Sequence, residues 1–220
     1  MMSMVRRPAT HVIEDQRGAA LVVALLIAMV LGALASVLIV IVTTETALGA
    51  SFRYAREVGY GAEAALDLAI HDLATTVDWS TVLAAPPANR TSSLSDISMS
   101  PVAPDGRVLD LVSLTAARQR ESDARDGPAR FGGNSPQWRL YFHARAADLL
   151  PVTHPTVPLY LIAWVADDGL DGDGDPRADT NQTLLIRAEA YGSAGSRRAI
   201  ESVISRQQTV VRVASSREPY

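Results

Sequence analysis

The sequence contains no cysteine and no lysine, and these two absences remove several classes of site. Without cysteine, neither a disulfide nor a thiolate metal site can form. Without lysine, a phosphate-binding loop of the Gly-x-x-x-x-Gly-Lys type is excluded, and all 20 cationic residues are arginine. The formal net charge is −4, so the chain has no excess of positive charge for binding nucleic acid. We therefore expect no nucleic-acid partner.

Signals for catalysis are equally scarce. The sequence has 4 histidines, and they show neither the spacing of metal ligands nor the surroundings of a nucleophile motif. Aromatic residues make up only 5% of the chain, and we interpret its tryptophans as core anchors rather than as a ligand cage. We therefore expect a protein that is not an enzyme.

A long apolar run near the N-terminus is the most prominent feature that is present. Residues 19–42 carry no charge, and at ~1.5 Å per helical residue they would span roughly 36 Å, more than the ~30 Å hydrocarbon core of a bilayer. The run exceeds the about 7 to 15 apolar residues of a cleaved secretory signal. Arg6, Arg7 and Arg17 precede it, which predicts a cytoplasmic N-terminus and an exported remainder. We predict a leader at residues 1–18 and one membrane span at 19–42.

The helical pattern continues beyond this span. Small and apolar residues recur at helical spacing within residues 43–75, with charged residues on the opposite face. We predict this segment to be the amphipathic half of one long helix. The apolar stripe consists of Val58, Ala62, Ala65, Leu66, Ala69 and Leu73. Residues 76–137 lack a steady period and are predicted to be a variable connecting region with a short helix, in which the charged run 118–130 is interpreted as a solvated face.

Residues 138–220 have the composition of β structure. Four segments are rich in β-branched and aromatic residues and are separated by turn signals. The four predicted strands lie within 138–143, 157–165, 183–191 and 198–213. An antiparallel sheet with one apolar face needs a cover, which the amphipathic helix supplies. The predicted fold class is therefore α+β, with a long N-terminal helix packed on a C-terminal antiparallel sheet of about four strands.

The first third of the chain resembles a known family. Four features carry the resemblance: a short polar leader that ends in Gly18, the start of the apolar run at Ala19-Ala20-Leu21-Val22-Val23-Ala24-Leu25-Leu26, the segment Thr43-Thr44-Glu45-Thr46 directly after that run, and the helical run Gly61-Ala62-Glu63-Ala64-Ala65-Leu66. Together they resemble the N-terminal region of PilX-type minor pilins of type IV pilus assembly. The resemblance covers roughly residues 12–75, and beyond them it extends only to the architecture.

This resemblance implies a pilin-like fold, cleavage by a prepilin peptidase between Gly18 and Ala19, and methylation of the new N-terminus. It also implies a single-pass protein of the bacterial inner membrane with its head in the periplasm, which reaches the cell surface once it is assembled into a pilus. The implied partners are other pilins and minor pilins, bound through the apolar helix. The implied role is structural, in pilus assembly, initiation or tip function.

One position departs from the pattern of major pilins. These typically carry Glu as the fifth residue after the cut, where it neutralises the charged N-terminus of a neighbouring subunit, whereas this chain has Val23. An uncompensated charge in an apolar fibre core is costly, so Val23 favours a subunit present in few copies. The tip pseudopilin of type II secretion shares this absence, and a minor pseudopilin is therefore one alternative. A signal-anchored periplasmic calcium-binding protein or enzyme is another.

An acidic loop at residues 167–179 is the second notable feature. Its aspartates are interspersed with glycines, so several carboxylates can turn inward on a flexible backbone, as calcium with its oxygen ligands requires. The predicted ligands are Asp168, Asp171, Asp173, Asp175 and Asp179. The match to an EF-hand loop is incomplete, because Pro176 replaces its glycine and Gln182 replaces its bidentate Glu. A solvated Asp-Gly turn without metal is the alternative.

Overall fold

A computed structural model describes residues 12–86, 92, 94–126, 128–149, 158–208 and 210–219, without the side chains of residues 12–17, 128 and 129. Residues 1–11 of the predicted leader therefore lie outside the described residues. The chain divides into two units, Met1–Ser51 and Phe52–Tyr220. The helices are α1 (Val12–Thr75), α2 (Ser80–Leu83), α3 (Leu111–Asp126), α4 (Pro128–Phe131) and α5 (Ala146–Leu149), with 3-10 turns at Gly132–Asn134 and Ser193–Gly195.

The described part of the first unit is helical throughout. Among the described residues, α1 is the one helix that is long and apolar enough to cross a membrane; its most apolar 18-residue window has a mean hydropathy of 3.1 and no buried residue. The hydroxyls of Thr43, Thr44 and Thr46 donate to backbone carbonyls one turn earlier in the helix, at 2.7 to 3.0 Å. These hydroxyls therefore have partners that do not depend on water, as a segment that enters an apolar surrounding requires.

In the second unit, residues 52–75 of α1 bury one face against the sheet. The predicted stripe is confirmed, since each of its six members is at most 8% exposed. These residues pack with Phe142, Leu161 and Ile186 in one apolar core. Gly61 marks the closest approach, because a Cβ placed there would lie 2.8 Å from Leu159 Cδ1 and 2.9 Å from Ala190 Cβ.

An arginine from the sheet satisfies the C-terminal end of α1. The guanidinium of Arg206 donates to the carbonyls of Leu73, Thr76 and Val77 at 2.6 to 3.0 Å. It also lies over the ring of Trp79, 4.2 Å from the centroid. Carbonyls in the last turn of a helix lack partners within the helix and carry partial negative charge, so this cation stabilises the end of α1.

The sheet has five strands in the order β1-β2-β3-β4-β5, and all neighbouring pairs are antiparallel. The strands are β1 (Arg139–Arg145), β2 (Tyr160–Asp167), β3 (Thr183–Tyr191), β4 (Arg197–Gln207) and β5 (Val210–Arg217). The predicted count of four was one short, because the fourth predicted segment is a hairpin rather than a single strand. Gln208, with a φ of 58°, begins the turn that separates β4 from β5. The coarser prediction of an α+β fold with an antiparallel sheet is confirmed.

The sheet is covered on both faces, whereas the sequence analysis predicted one apolar face. Every residue of β2 is buried. Leu161, Ala163 and Val165 face α1, and the alternate residues of β2 form a second core with Leu111 and Trp138. Helix α3 covers this second face. Its Thr115 hydroxyl accepts a hydrogen bond of 2.9 Å from the Trp164 indole.

The interpretation of the charged run 118–130 as a solvated face was wrong for its first residue, Arg118, whereas Arg120, Arg125 and Arg130 are exposed. Arg118 is 9% exposed and pairs at 3.0 Å with Glu189, which is fully buried on β3. Arg187 and Arg197 donate to the same carboxylate at 2.8 to 2.9 Å. Burial by itself would raise the pKa of Glu189, but the hydrogen bond from Arg197 and the charges of these arginines outweigh it, so the pKa lies below its ordinary value.

Replacing Gly61 by Ala should lower the free energy of unfolding by about 1 kcal/mol. The added methyl overlaps the fixed Cβ of Ala190, and overpacking of this kind costs about 1–3 kcal/mol, more than the up to about 1 kcal/mol gained from helix propensity. Thermal unfolding of the full chain in detergent, followed by circular dichroism, measures the change. Gly59→Ala is the matched control; a Cβ at that position meets no atom within 4 Å, so it should raise stability. A melting temperature for Gly61→Ala above that of the wild type would contradict the packing.

Replacing Glu189 by Gln should cost about 3–5 kcal/mol at neutral pH, because it leaves buried arginines without their counter-charge. The folded-state pKa of Glu189 is lowered, so its contribution is complete above the ordinary Glu pKa of about 4.3 and is lost as the pH falls through the folded value. The gap in stability between wild type and variant should therefore narrow between pH 7 and pH 3. Glu218→Gln, on the exposed pair with Arg198, should change stability by less than about 1 kcal/mol at either pH. A gap that stayed constant would rule out this role for Glu189.

Candidate functional site

The acidic loop connects β2 to β3, and its first carboxylate belongs to the core rather than to the loop. Asp167 is the last residue of β2 and is 0% exposed. Neither of its carboxylate oxygens accepts a hydrogen bond of normal geometry from the described residues. A buried polar group without partners costs free energy, more so when it is charged. Asp167 is thus an unusual feature of an otherwise well-paired strand.

Two loop aspartates lie close to Asp167. One oxygen from each of Asp167, Asp171 and Asp173 lies within 4.8 Å of the others, and we call these three residues the carboxylate cluster. Asp171 is 5% exposed, and its oxygens accept hydrogen bonds from the backbone N–H and the hydroxyl of Thr180. Asp173 is exposed, and its Oδ1 accepts the backbone N–H of Asp175 at 2.9 Å. The cluster therefore extends from the core to the surface.

The turn Gly132–Asn134 holds the loop from the other side. The amide Nδ2 of Asn134 donates to the carbonyls of Asp168 at 3.0 Å and Asp171 at 2.8 Å. A Cβ on Gly133 would lie 2.9 Å from the carbonyl oxygen of Gly174, so the two backbones touch. Asn134 is 3% exposed, and its Oδ1 has no hydrogen-bond partner among the described residues. These contacts fix where the two loop carbonyls point.

The electrostatics of the loop follow from burial and mutual repulsion. Burial, together with the charges of Asp168 and Asp171, raises the pKa of Asp167 to about 8, although the nearby Asn134 amide acts in the opposite sense. Burial also raises the pKa of Asp179, whose Oδ2 has no partner among the described residues. For Asp171 burial would raise the pKa, but the hydrogen bonds from Thr180 outweigh it and lower the pKa. Asp167 and Asp179 therefore lack the stabilising contacts that Asp171 has.

The structure brings together two of the five predicted metal ligands, Asp171 and Asp173. The other three use their oxygens locally. Asp168 accepts from the Asn181 side chain at 2.7 Å, Asp175 from the Arg177 backbone at 3.0 Å, and Asp179 through Oδ1 from the Thr183 backbone at 3.2 Å. Asp175 is exposed, as the alternative of a solvated Asp-Gly turn without metal predicts.

Sequence reasoning missed Asp167 and Asn134. Asp167 directly follows the apolar run Val165-Ala166, and a charged residue at the end of a buried strand was an available signal. Asn134 follows two glycines and was not singled out in the sequence. Its role depends on a contact more than thirty residues distant in sequence, which no local pattern reveals.

The predicted processing junction lies in the first unit. Gly18 and Ala19 are both helical and exposed. A Cβ on Gly18 would meet no atom within 4 Å, so packing within the chain does not explain a glycine at this position.

Comparison with protein-family models, with curated proteins and with solved structures found no match to this chain.

Replacing Asn134 by Ala should lower the free energy of unfolding by about 1–3 kcal/mol, because two loop carbonyls lose a buried donor. Trypsin cleavage at Arg177, within the loop, should also become faster. Ser135→Ala is the neighbouring control. The Ser135 hydroxyl makes only an exposed bond to Gly132, so its loss should stay within about 0.5 kcal/mol. Equal effects for the two variants would show that Asn134 does not hold the loop.

Proposed function

We propose that this chain is a minor pilin, a non-catalytic subunit that takes part in type IV pilus assembly, initiation or tip function. The single observation that carries the proposal is the apolar segment of α1 in the first unit, which follows a leader-like Arg17-Gly18 junction and leaves its large apolar side chains exposed. Leu21, Leu31 and Leu38, for example, are 60 to 65% exposed. An exposed apolar surface of this length needs a bilayer or other helices to cover it.

In a pilin, the apolar surface of this helix is covered first by the bilayer and then by other helices. The helix first lies in the inner membrane, with the N-terminus in the cytoplasm and the second unit in the periplasm, and then transfers to a bundle of similar helices in the fibre. Transfer from lipid to an apolar bundle is favourable only if the helix brings no uncompensated charge. Residues 19–42 contain no charged side chain, so for the side chains the transfer exchanges one apolar surrounding for another. The remaining charge is the new N-terminal amine at Ala19, which a neighbouring subunit must neutralise.

The second unit is compatible with this role. A helix packed on an antiparallel sheet is the layout that the family resemblance implies, and residues 52–75 of α1 pack in that way within the unit. Arg118, Arg187 and Arg197 all pair with the buried Glu189, so their charges serve the packing of the unit. Val23, in place of the Glu found in major pilins, favours a subunit that is incorporated in few copies.

Processing by a prepilin peptidase is the decisive test. When the full chain is produced in cells that contain an active prepilin peptidase, intact mass and N-terminal sequencing should find a product that begins at a methylated Ala19. Gly18→Val should keep its leader, because the resemblance places the cut after this glycine. Gly32→Val is the matched control: a Cβ at either position meets nothing within 4 Å, so neither change disturbs packing within the chain, yet Gly32→Val should be cut normally.

A leader retained by the wild-type chain would contradict the proposal and favour the signal-anchored alternative. A minor pseudopilin would be cut in the same way, so the second readout is the fibre that the processed chain enters. Recovery of the chain in pili sheared from the cell surface supports a pilin. Recovery only with pseudopilins after cross-linking would replace this proposal by the type II secretion alternative.

A further inference from the structure

The carboxylate cluster places three acidic groups where the protein supplies few positive charges. The oxygens of Asp167, Asp171 and Asp173 lie within 4.8 Å of one another, and at such separations like charges repel strongly unless something neutralises them. The arginine of the same loop, Arg177, is exposed, and its backbone N–H is bound to Asp175. Its side chain forms no ion pair with the cluster among the described contacts.

An independent observation distinguishes this cluster from an ordinary acidic surface loop. Asp167 belongs to β2 and is 0% exposed, and both of its oxygens lack hydrogen-bond partners among the described residues. Asp179 lies outside the cluster and is 8% exposed, and its Oδ2 also lacks a hydrogen-bond partner among the described residues. Its negative charge contributes to raising the pKa of Asp167. Buried carboxylates in proteins are normally paired, hydrogen-bonded or bound to a metal. A metal ion would supply a partner for Asp167 that the described residues do not.

We propose that Asp167, Asp171 and Asp173 bind one calcium ion, and that the buried Asp167 anchors the ion to the end of strand β2. This ligand set differs from the five loop aspartates predicted by the sequence, since it adds Asp167 and omits Asp168, Asp175 and Asp179. The proposal concerns the second unit alone and does not depend on the processing of the N-terminus.

The ligand chemistry selects the ion. The cluster offers carboxylate oxygens and no nitrogen or sulfur ligand, which favours a hard cation over zinc or copper. Calcium accepts six to eight oxygen ligands in a flexible geometry, whereas magnesium demands a near-ideal octahedron. A loop with Gly172 and Gly174, the latter at a φ of 75°, suits the less demanding ion. The hydrogen bonds from Thr180 fix the orientation of Asp171, as outer-sphere contacts do for metal ligands.

Calcium titration of the full chain in detergent, after treatment with a chelator, tests the proposal. Calorimetry should give one site per chain, with a dissociation constant of roughly 0.01 to 1 mM, within the range of sensor and extracellular sites. At 100 times that constant, calcium should raise the melting temperature by about 5 °C or more. Magnesium should bind at least about tenfold more weakly.

Asp167→Asn gives a result that a purely structural role would not. It should abolish the calcium-induced rise in melting temperature and, without calcium, should leave the protein as stable as the wild type or more so, because it removes an unpaired charge. Asp173→Asn, at an exposed position, should weaken calcium binding about tenfold or more. If Asp167→Asn does not fold, this variant tests whether the cluster binds calcium. Asp175→Asn is the matched control, since it removes the same charge from the same loop outside the cluster and should keep at least a third of the wild-type affinity.

Three results would overturn the proposal. The first is an absence of calcium heat and of any melting shift in the wild type at 10 mM calcium. The second is an Asp175→Asn variant that loses the calcium response while Asp173→Asn keeps it. The third is tighter binding of magnesium than of calcium, which would assign the cluster to a different ion.

Discussion

Burial of strand β2 on both faces is the constraint on which the rest of the second unit depends. A strand with no solvent-facing side obliges every charged group near it to find a partner inside the protein. Glu189, on the neighbouring strand, meets this requirement with three arginines and the hydroxyl of Tyr191. Asp167, at the end of β2, does not meet it with the residues described. The contrast between these two carboxylates separates a structural network from a candidate ligand site.

Ion pairs of arginine hold elements of the second unit together, a role that disulfides have in many other proteins. With no cysteine available, helix α3 is held to the sheet by the ion pairs of Arg118 with Glu189 and of Arg125 with Glu201. Arginine suits this task because its planar guanidinium donates several hydrogen bonds in a fixed geometry and holds its charge when buried. Such a network is specific in geometry, but unlike a disulfide it depends on pH.

The sequence predicted those features of the fold that repeat along the chain. The helical stripe from Val58 to Leu73 and the strand predicted at 183–191 follow from such local patterns, and the structure has both. Features set by contacts between distant segments were not predicted. The second sheet face is covered by α3, an element distant in sequence from β2. Asp167 and Asn134 escaped notice for the same reason, since burial and the distant carbonyls give each residue its role. The hairpin was missed for a local reason, since Gln208 adopts a positive φ at which the sequence has no glycine.

The contact between Arg206 and the end of α1 has a mechanical consequence. From strand β4, the guanidinium donates hydrogen bonds to three carbonyls at and just after the end of the helix, and it stacks on the ring of Trp79. A pulling force on the final turns of the helix would therefore be borne both by the covalent chain and by the three hydrogen bonds of Arg206. Strand β4 lies between β3 and β5, each bonded to it along much of its length, so the strain spreads across the sheet instead of peeling the helix away one turn at a time.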